Sequence, residues 1–89
     1  MLTEEQAAAA LVALPGWQQG DRSILKVYDF DDFAAVMRFV HRVADLAEAR
    51  NHHPDFRIEY KRVTLTLRSH DVGGVTKRDI RLAHAIDDD

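Results

Sequence analysis

Three histidines, His52, His53 and His70, stand near two carboxylates, Glu48 and Asp79, in the second half of the chain. Imidazole ordinarily titrates near ~6.5, so it can give or take a proton at neutral pH. A cluster of three suits general acid–base work on a small polar substrate. Each residue also has a plain structural reading. His52-His53 serves equally well as a solvated corner before Pro54, and Glu48 fits an exposed helix position. Asp79 follows Thr76 at the spacing of a helix N-terminal capping pair, which is a sufficient role by itself. His41 and His84 read as surface residues, and Trp17 as core packing or a stacking platform.

A metal centre is the obvious rival, because His52, His53, His70 and Asp79 form a ligand-like inventory. Adjacent histidines on an extended backbone point to opposite sides, and no His-x-His or His-x3-His pair occurs among these residues. Neither a metal nor an organic cofactor is expected. There is no glycine-rich phosphate loop, no serine nucleophile setting and no paired-carboxylate arrangement. The absence of cysteine excludes disulfides and thiolate chemistry. A net charge of −3 argues against a nucleic-acid binder. The basic residues Arg57, Lys61, Arg62, Arg68, Lys77, Arg78 and Arg81 are interleaved with Asp55, Glu59, Asp71 and Asp79, as on a mixed solvated face. No apolar run approaches the ~18–20 residues that span a bilayer, so no membrane partner is expected. Met1 to Glu5 lack the basic start of a secretory signal, which predicts a cytoplasmic protein.

The elements that must position these side chains follow from periodicity. With 89 residues the chain reads as one domain, residues 1–89, with one modest core. Thr3-Glu4-Glu5-Gln6 fits a capping box, and a first helix is expected to run to the stop at Pro15-Gly16. A short strand at 17–19 and a longer one at 24–30, joined across Gly20-Asp21, predict a hairpin. Residues 31–51 carry the clearest helical pattern, with Asp29 or Asp31 as N-cap. Its apolar stripe is Phe33, Val36, Met37, Val40, Val43, Ala44 and Ala47, widened by Phe39 and Leu46. Pro54 forces this helix to end at about Asn51.

Parity then divides the next stretch. Ile58 and Tyr60 are even-numbered, whereas Val63, Leu65 and Leu67 are odd, so one straight strand cannot bury both sets. A turn at Lys61-Arg62 between strands 56–60 and 63–69 resolves the conflict and gives His70 the parity of Thr64 and Thr66. Thr76 opens a last helix bearing Ile80, Leu82, Ala83 and Ile86. Asp87-Asp88-Asp89, acidic at a helix C-terminus, predict a frayed tail. The order α-β-β-α-β-β-α implies a two-layer α+β domain, an antiparallel four-stranded sheet with helices on one face.

The run Glu48, His52-His53-Pro54, Tyr60, His70, Asp79, at these spacings, resembles the pterin-4a-carbinolamine dehydratase family. Supporting stretches are Gly16-Trp17, Phe30-Asp31-Asp32-Phe33, Thr66-Leu67-Arg68-Ser69-His70 and Asp79-Ile80-Arg81-Leu82-Ala83. Phe56 departs from the pattern, standing where several relatives carry Trp. The resemblance implies a four-stranded sheet with helices on one face, and homodimers or homotetramers in which sheets or long helices pair. It implies dehydration of 4a-hydroxytetrahydropterin to quinonoid dihydropterin, which recycles the pterin of aromatic amino-acid hydroxylases. It gives His52 and His70 acid–base roles and makes His53 the residue that binds or orients the pterin. Glu48 and Asp79 would hold imidazoles or contact ring amides, and Pro54 and Arg78 would help bind substrate. Which histidine gives the proton stays open. Two alternatives are a non-catalytic dimerisation or protein-binding module, as some animal relatives also serve a homeodomain transcription factor, and action on another pterin such as a molybdopterin-related compound.

Overall fold

The computed structural model describes residues 1–88. Asp89, the end of the predicted tail, lies outside the described residues. The elements are α1 (Glu4–Leu11), β1 (Gln18–Gly20), β2 (Ser23–Asp29), α2 (Phe33–Arg50), β3 (Asp55–Glu59), β4 (Arg62–Leu67) and α3 (Lys77–Asp88). The strands pair antiparallel in the order β1-β2-β4-β3, which is the expected α+β arrangement.

The capping box is present at the start of α1, with Thr3 and Gln6 bonding each other's backbone N–H groups. The helix stops at Leu11, before the Pro15-Gly16 signal, and a run of turns carries Leu14 and Trp17 into the core. The N-cap of α2 is Asp32 rather than Asp29 or Asp31, and its carboxylate accepts from the Ala35 N–H at 2.8 Å.

The buried stripe of α2 is Val36, Phe39, Val43 and Ala47. Phe33 and Met37, expected on that stripe, are 49% and 42% exposed. Two apolar stripes of the same period run along this helix, and its docking angle on the sheet decides which is covered. Phe39 marks the covered side, with ring centroids 4.6 Å from Tyr28 and 5.1 Å from Phe30. Beneath it, one face of the sheet contributes Ile24, Val63, Leu65 and Leu67, and α3 contributes Leu82, Ala83 and Ile86.

Ile58 pairs with Val63 and Phe56 with Leu65, so these four share one face, but Val63 and Leu65 are fully buried whereas Ile58 and Phe56 at the sheet edge are exposed. The reversal lies one residue earlier than expected. Glu59 pairs with Arg62, and Tyr60-Lys61 form the turn, with Tyr60 at φ 45° and 68% exposed. Strand β4 ends at Leu67, short of the expected Ser69, which makes an isolated bridge to Gly74. His70 therefore sits in the turn that follows and not on a strand.

The end of α3 also differs from expectation. Asp87 accepts hydrogen bonds from Trp17 Nε1 at 2.8 Å, Lys26 Nζ at 3.0 Å and the Tyr28 hydroxyl at 2.6 Å. Three donors from β2 and the segment before β1 offset the unfavourable dipole at that helix end. Burial raises the carboxyl, but the three hydrogen bonds outweigh it and hold Asp87 below the usual carboxylate range. Burial, and then the bond to Asp87, push the Tyr28 hydroxyl well above its ordinary value.

Candidate active site

The site begins with the way α2 ends. Asn51 takes the left-handed conformation, φ 49°, which asparagine tolerates better than most residues. The His52 N–H then reaches back to the Ala47 carbonyl at 3.0 Å, a Schellman-type closure. This turn throws His52 and His53 off the helix, and Pro54 directs the chain into β3. The side chains diverge, as adjacent residues on an extended backbone should. His52 is buried at 8% exposure, whereas the His53 side chain is 53% exposed.

Each imidazole is held by a different carboxylate. His52 Nε2 lies 2.5 Å from Asp79 Oδ1, and His53 Nε2 lies 2.7 Å from Glu48 Oε1. A carboxylate only accepts, so both Nε2 atoms carry the proton, and in the neutral ring Nδ1 is left with a lone pair. Among the described residues no buried side-chain nitrogen or oxygen lacks a partner. Among the described residues His52 Nδ1 has no hydrogen-bond partner, so it is not sealed from solvent.

Asp79 is fully buried and lies in the first turn of α3. Its Oδ2 accepts from the Thr76 N–H at 2.9 Å and from the Ser69 hydroxyl at 3.0 Å. The capping role and the imidazole contact thus both belong to this carboxylate, one to each oxygen. Across from it, the loop after β4 brings His70 and Asp71 to the same place. Arg78 Nη2 donates to Asp71 Oδ1 at 2.7 Å, and this bond holds Asp71 below the usual carboxylate range.

These parts border a cavity of about 420 Å³, lined by Asn51, His52, His53, Pro54, Asp55, His70, Asp71 and Arg78. All three candidate histidines, Pro54 and Arg78 are brought together there. Neither Glu48 nor Asp79 lines it; each bonds an imidazole that does, Asp79 from the buried side and Glu48 from the exposed surface. Sequence reasoning overlooked Asn51, Asp55 and Asp71 as lining residues and Ser69 as a partner of Asp79. The Thr76–Asp79 capping pattern signals only the Thr76 contact; Ser69 lies ten residues from Asp79 and no local pattern announces it. A larger cavity, about 860 Å³ between the N-terminal segment, the β1–β2 turn and residues 72–75, contains no histidine. Among the described residues no group of three or more His, Cys, Asp and Glu is placed to hold a metal ion.

The chain is similar to known proteins over most of its length. The family model described as pterin 4 alpha carbinolamine dehydratase matches residues 1–88. A protein of Koribacter versatilis (strain Ellin345), provisionally named pterin-4-alpha-carbinolamine dehydratase, is 52% identical over 82 residues, 92% of this chain and 87% of its own. A similarly named protein of Thermomicrobium roseum is 44% identical over 85 residues, 96% and 91% of the two chains. The crystal structure of a transcriptional coactivator/pterin dehydratase from Brucella melitensis superposes with a TM-score of 0.92 at 38% identity, covering 98% of this chain and 95% of that one. A pterin dehydratase-like RuBisCO assembly factor of the alpha-carboxysome shares the fold, with a TM-score of 0.66 at 20% identity over 81% and 83% of the chains. With the three histidines and Pro54 of the motif at one cavity and the family model matching residues 1–88, the chain belongs to the pterin 4 alpha carbinolamine dehydratase family.

Proposed function

We propose that this protein, as a single dehydratase-like domain, removes water from 4a-hydroxytetrahydropterin to give quinonoid dihydropterin, in the recycling of a hydroxylase pterin. The observation that carries this reading is the pair of imidazoles at one cavity, each tied through Nε2 to its own carboxylate, with His70 beside them. In the reaction the C4a–O bond breaks, one proton joins the departing hydroxide and one leaves a ring nitrogen. The net loss is water, and no electrons are exchanged with a cofactor. An acid and a base meet that balance. His52 and His70 take these roles, His53 orients the ring, and Pro54 supplies an apolar wall. Arg78, already bonded to Asp71, offers its remaining N–H groups to ring acceptors. Glu48 and Asp79 work through the imidazoles they hold.

The test is the decay of chemically generated 4a-hydroxytetrahydropterin, followed by absorbance at neutral pH with and without the protein. Acceleration is expected, and His52→Ala and His70→Ala should lose it while remaining folded. Unchanged rates in both variants would remove these residues from the mechanism. No acceleration by folded protein would favour a protein-binding module or another pterin. The coactivator in the name of the Brucella neighbour is the observation on the side of a binding role.

We further propose a homodimer or homotetramer. Phe33 and Met37 on α2 form the outward apolar stripe that a second copy would cover.

A further inference from the structure

Behind Asp79 runs a chain of hydroxyls whose donor directions are all determined. Ser69 Oγ is 3.0 Å from Asp79 Oδ2, and because the carboxylate only accepts, the single Ser69 proton goes there. Ser69 Oγ is also 2.7 Å from Thr76 Oγ1, so in that contact Thr76 must donate. Thr76 Oγ1 in turn accepts from the Arg78 N–H at 3.2 Å. The order is Arg78 N–H to Thr76, Thr76 to Ser69, Ser69 to Asp79 Oδ2, with His52 Nε2–H on the opposite carboxylate oxygen.

We propose that Ser69 and Thr76 are positioning residues, whose hydroxyls set the orientation of the Asp79 carboxylate and thereby hold His52 as its Nε2–H tautomer with Nδ1 facing the cavity. Two features make Ser69 more than a filler of space. It is fully buried, so its hydroxyl has no water to turn to. It also closes the loop that carries His70: its N–H donates to the Gly74 carbonyl at 2.8 Å, and its carbonyl accepts from the Gly73 N–H at 2.9 Å. One residue therefore couples the carboxylate behind His52 to the backbone that places His70.

The functional part of this proposal rests on the dehydratase reading; the tautomer part does not. The experiment uses the whole chain labelled with ¹⁵N, at a pH where the His52 ring is neutral. Long-range ¹H–¹⁵N correlations report which ring nitrogen is protonated, and amide spectra report folding. Wild type is expected to show a protonated Nε2 and a bare Nδ1. Ser69→Ala should mix the tautomers and lower kcat about tenfold with KM within about twofold, the scale of one charge-assisted hydrogen bond. Thr76→Ala should shift the ring signals in the same direction and serves if Ser69→Ala does not fold; Thr76→Ser should restore the wild-type pattern. A folded Ser69→Ala with unaltered ring signals and kcat would overturn the proposal, as would an Nδ1–H tautomer in wild type. If wild type shows no turnover, the dehydratase reading fails, and the ring signals of the same variants still decide the relay.

Discussion

Asp79 shows how one side chain can satisfy a structural reading and a functional one together. Its Oδ2 closes the N-terminus of α3 and its Oδ1 holds His52. Asp79→Asn preserves the shape but turns one oxygen into a donor. The amide oxygen would stay with Ser69 and the Thr76 N–H, so the NH₂ would face His52 and force Nε2 to accept. The expected result is a folded protein that is about 1–3 kcal/mol less stable in urea unfolding and at least about 10²-fold slower. Turnover within tenfold of wild type would separate Asp79 from catalysis. The Glu48–His53 pair is exposed, and such pairs add little to stability. Glu48→Gln should change unfolding free energy by less than about 0.5 kcal/mol while reducing turnover, a contrast with Asp79 that thermal melts and steady-state kinetics can measure.

At the scale of elements, α3 is fixed at both ends by carboxylates. Its N-terminus is held through Asp79 and its C-terminus through Asp87, which takes donors from Trp17, Lys26 and Tyr28. Asp87→Asn should cost about 1–2 kcal/mol, discounted for a side chain that is 21% exposed. The pH dependence has a definite sign. A carboxyl depressed in the folded state contributes stability above its unfolded value, near ~3.9, and loses it as pH falls through the folded value. The gap between wild type and Asp87→Asn should therefore be constant between about pH 5 and 7 and shrink below about pH 4. Urea titrations at several pH values would show it, and a gap independent of pH would mean that the charge of Asp87 is not what holds the helix.

For the molecule as a whole, the β2 and β4 part of one sheet face is covered, whereas β3 and one stripe of α2 are not. Phe33 and Met37 lie on that open stripe, the surface the proposed second copy would cover. Sedimentation of the wild-type chain should give a dimer or tetramer. Met37→Glu together with Phe33→Glu should lower the mass without unfolding the protein, since neither side chain belongs to the core cluster. An unchanged mass would move the contact elsewhere, and the exposed edge of β3 is the alternative surface.

The sequence alone determined what neighbouring residues decide. Capping at Thr3, the end of α2 near Asn51 before Pro54, the need for a reversal between Ile58 and Val63, and the element order all rest on period, turn chemistry or spacing. The motif from Glu48 to Asp79 was legible as a set of residue types, and the cavity gathers or backs all of it except Tyr60, which lies in the β3–β4 turn. Only the tertiary structure decided which apolar stripe of α2 faces the sheet, that His70 sits in a turn, and that Asp87 is gripped rather than frayed. It also decided that Asp79 stands behind His52, 27 residues away, and that Asp87 meets Tyr28 across 59 residues. Such partners are chosen by the path of the chain through the sheet. A local pattern states that a residue wants a donor or an apolar surface; which one it receives depends on what the fold carries past it.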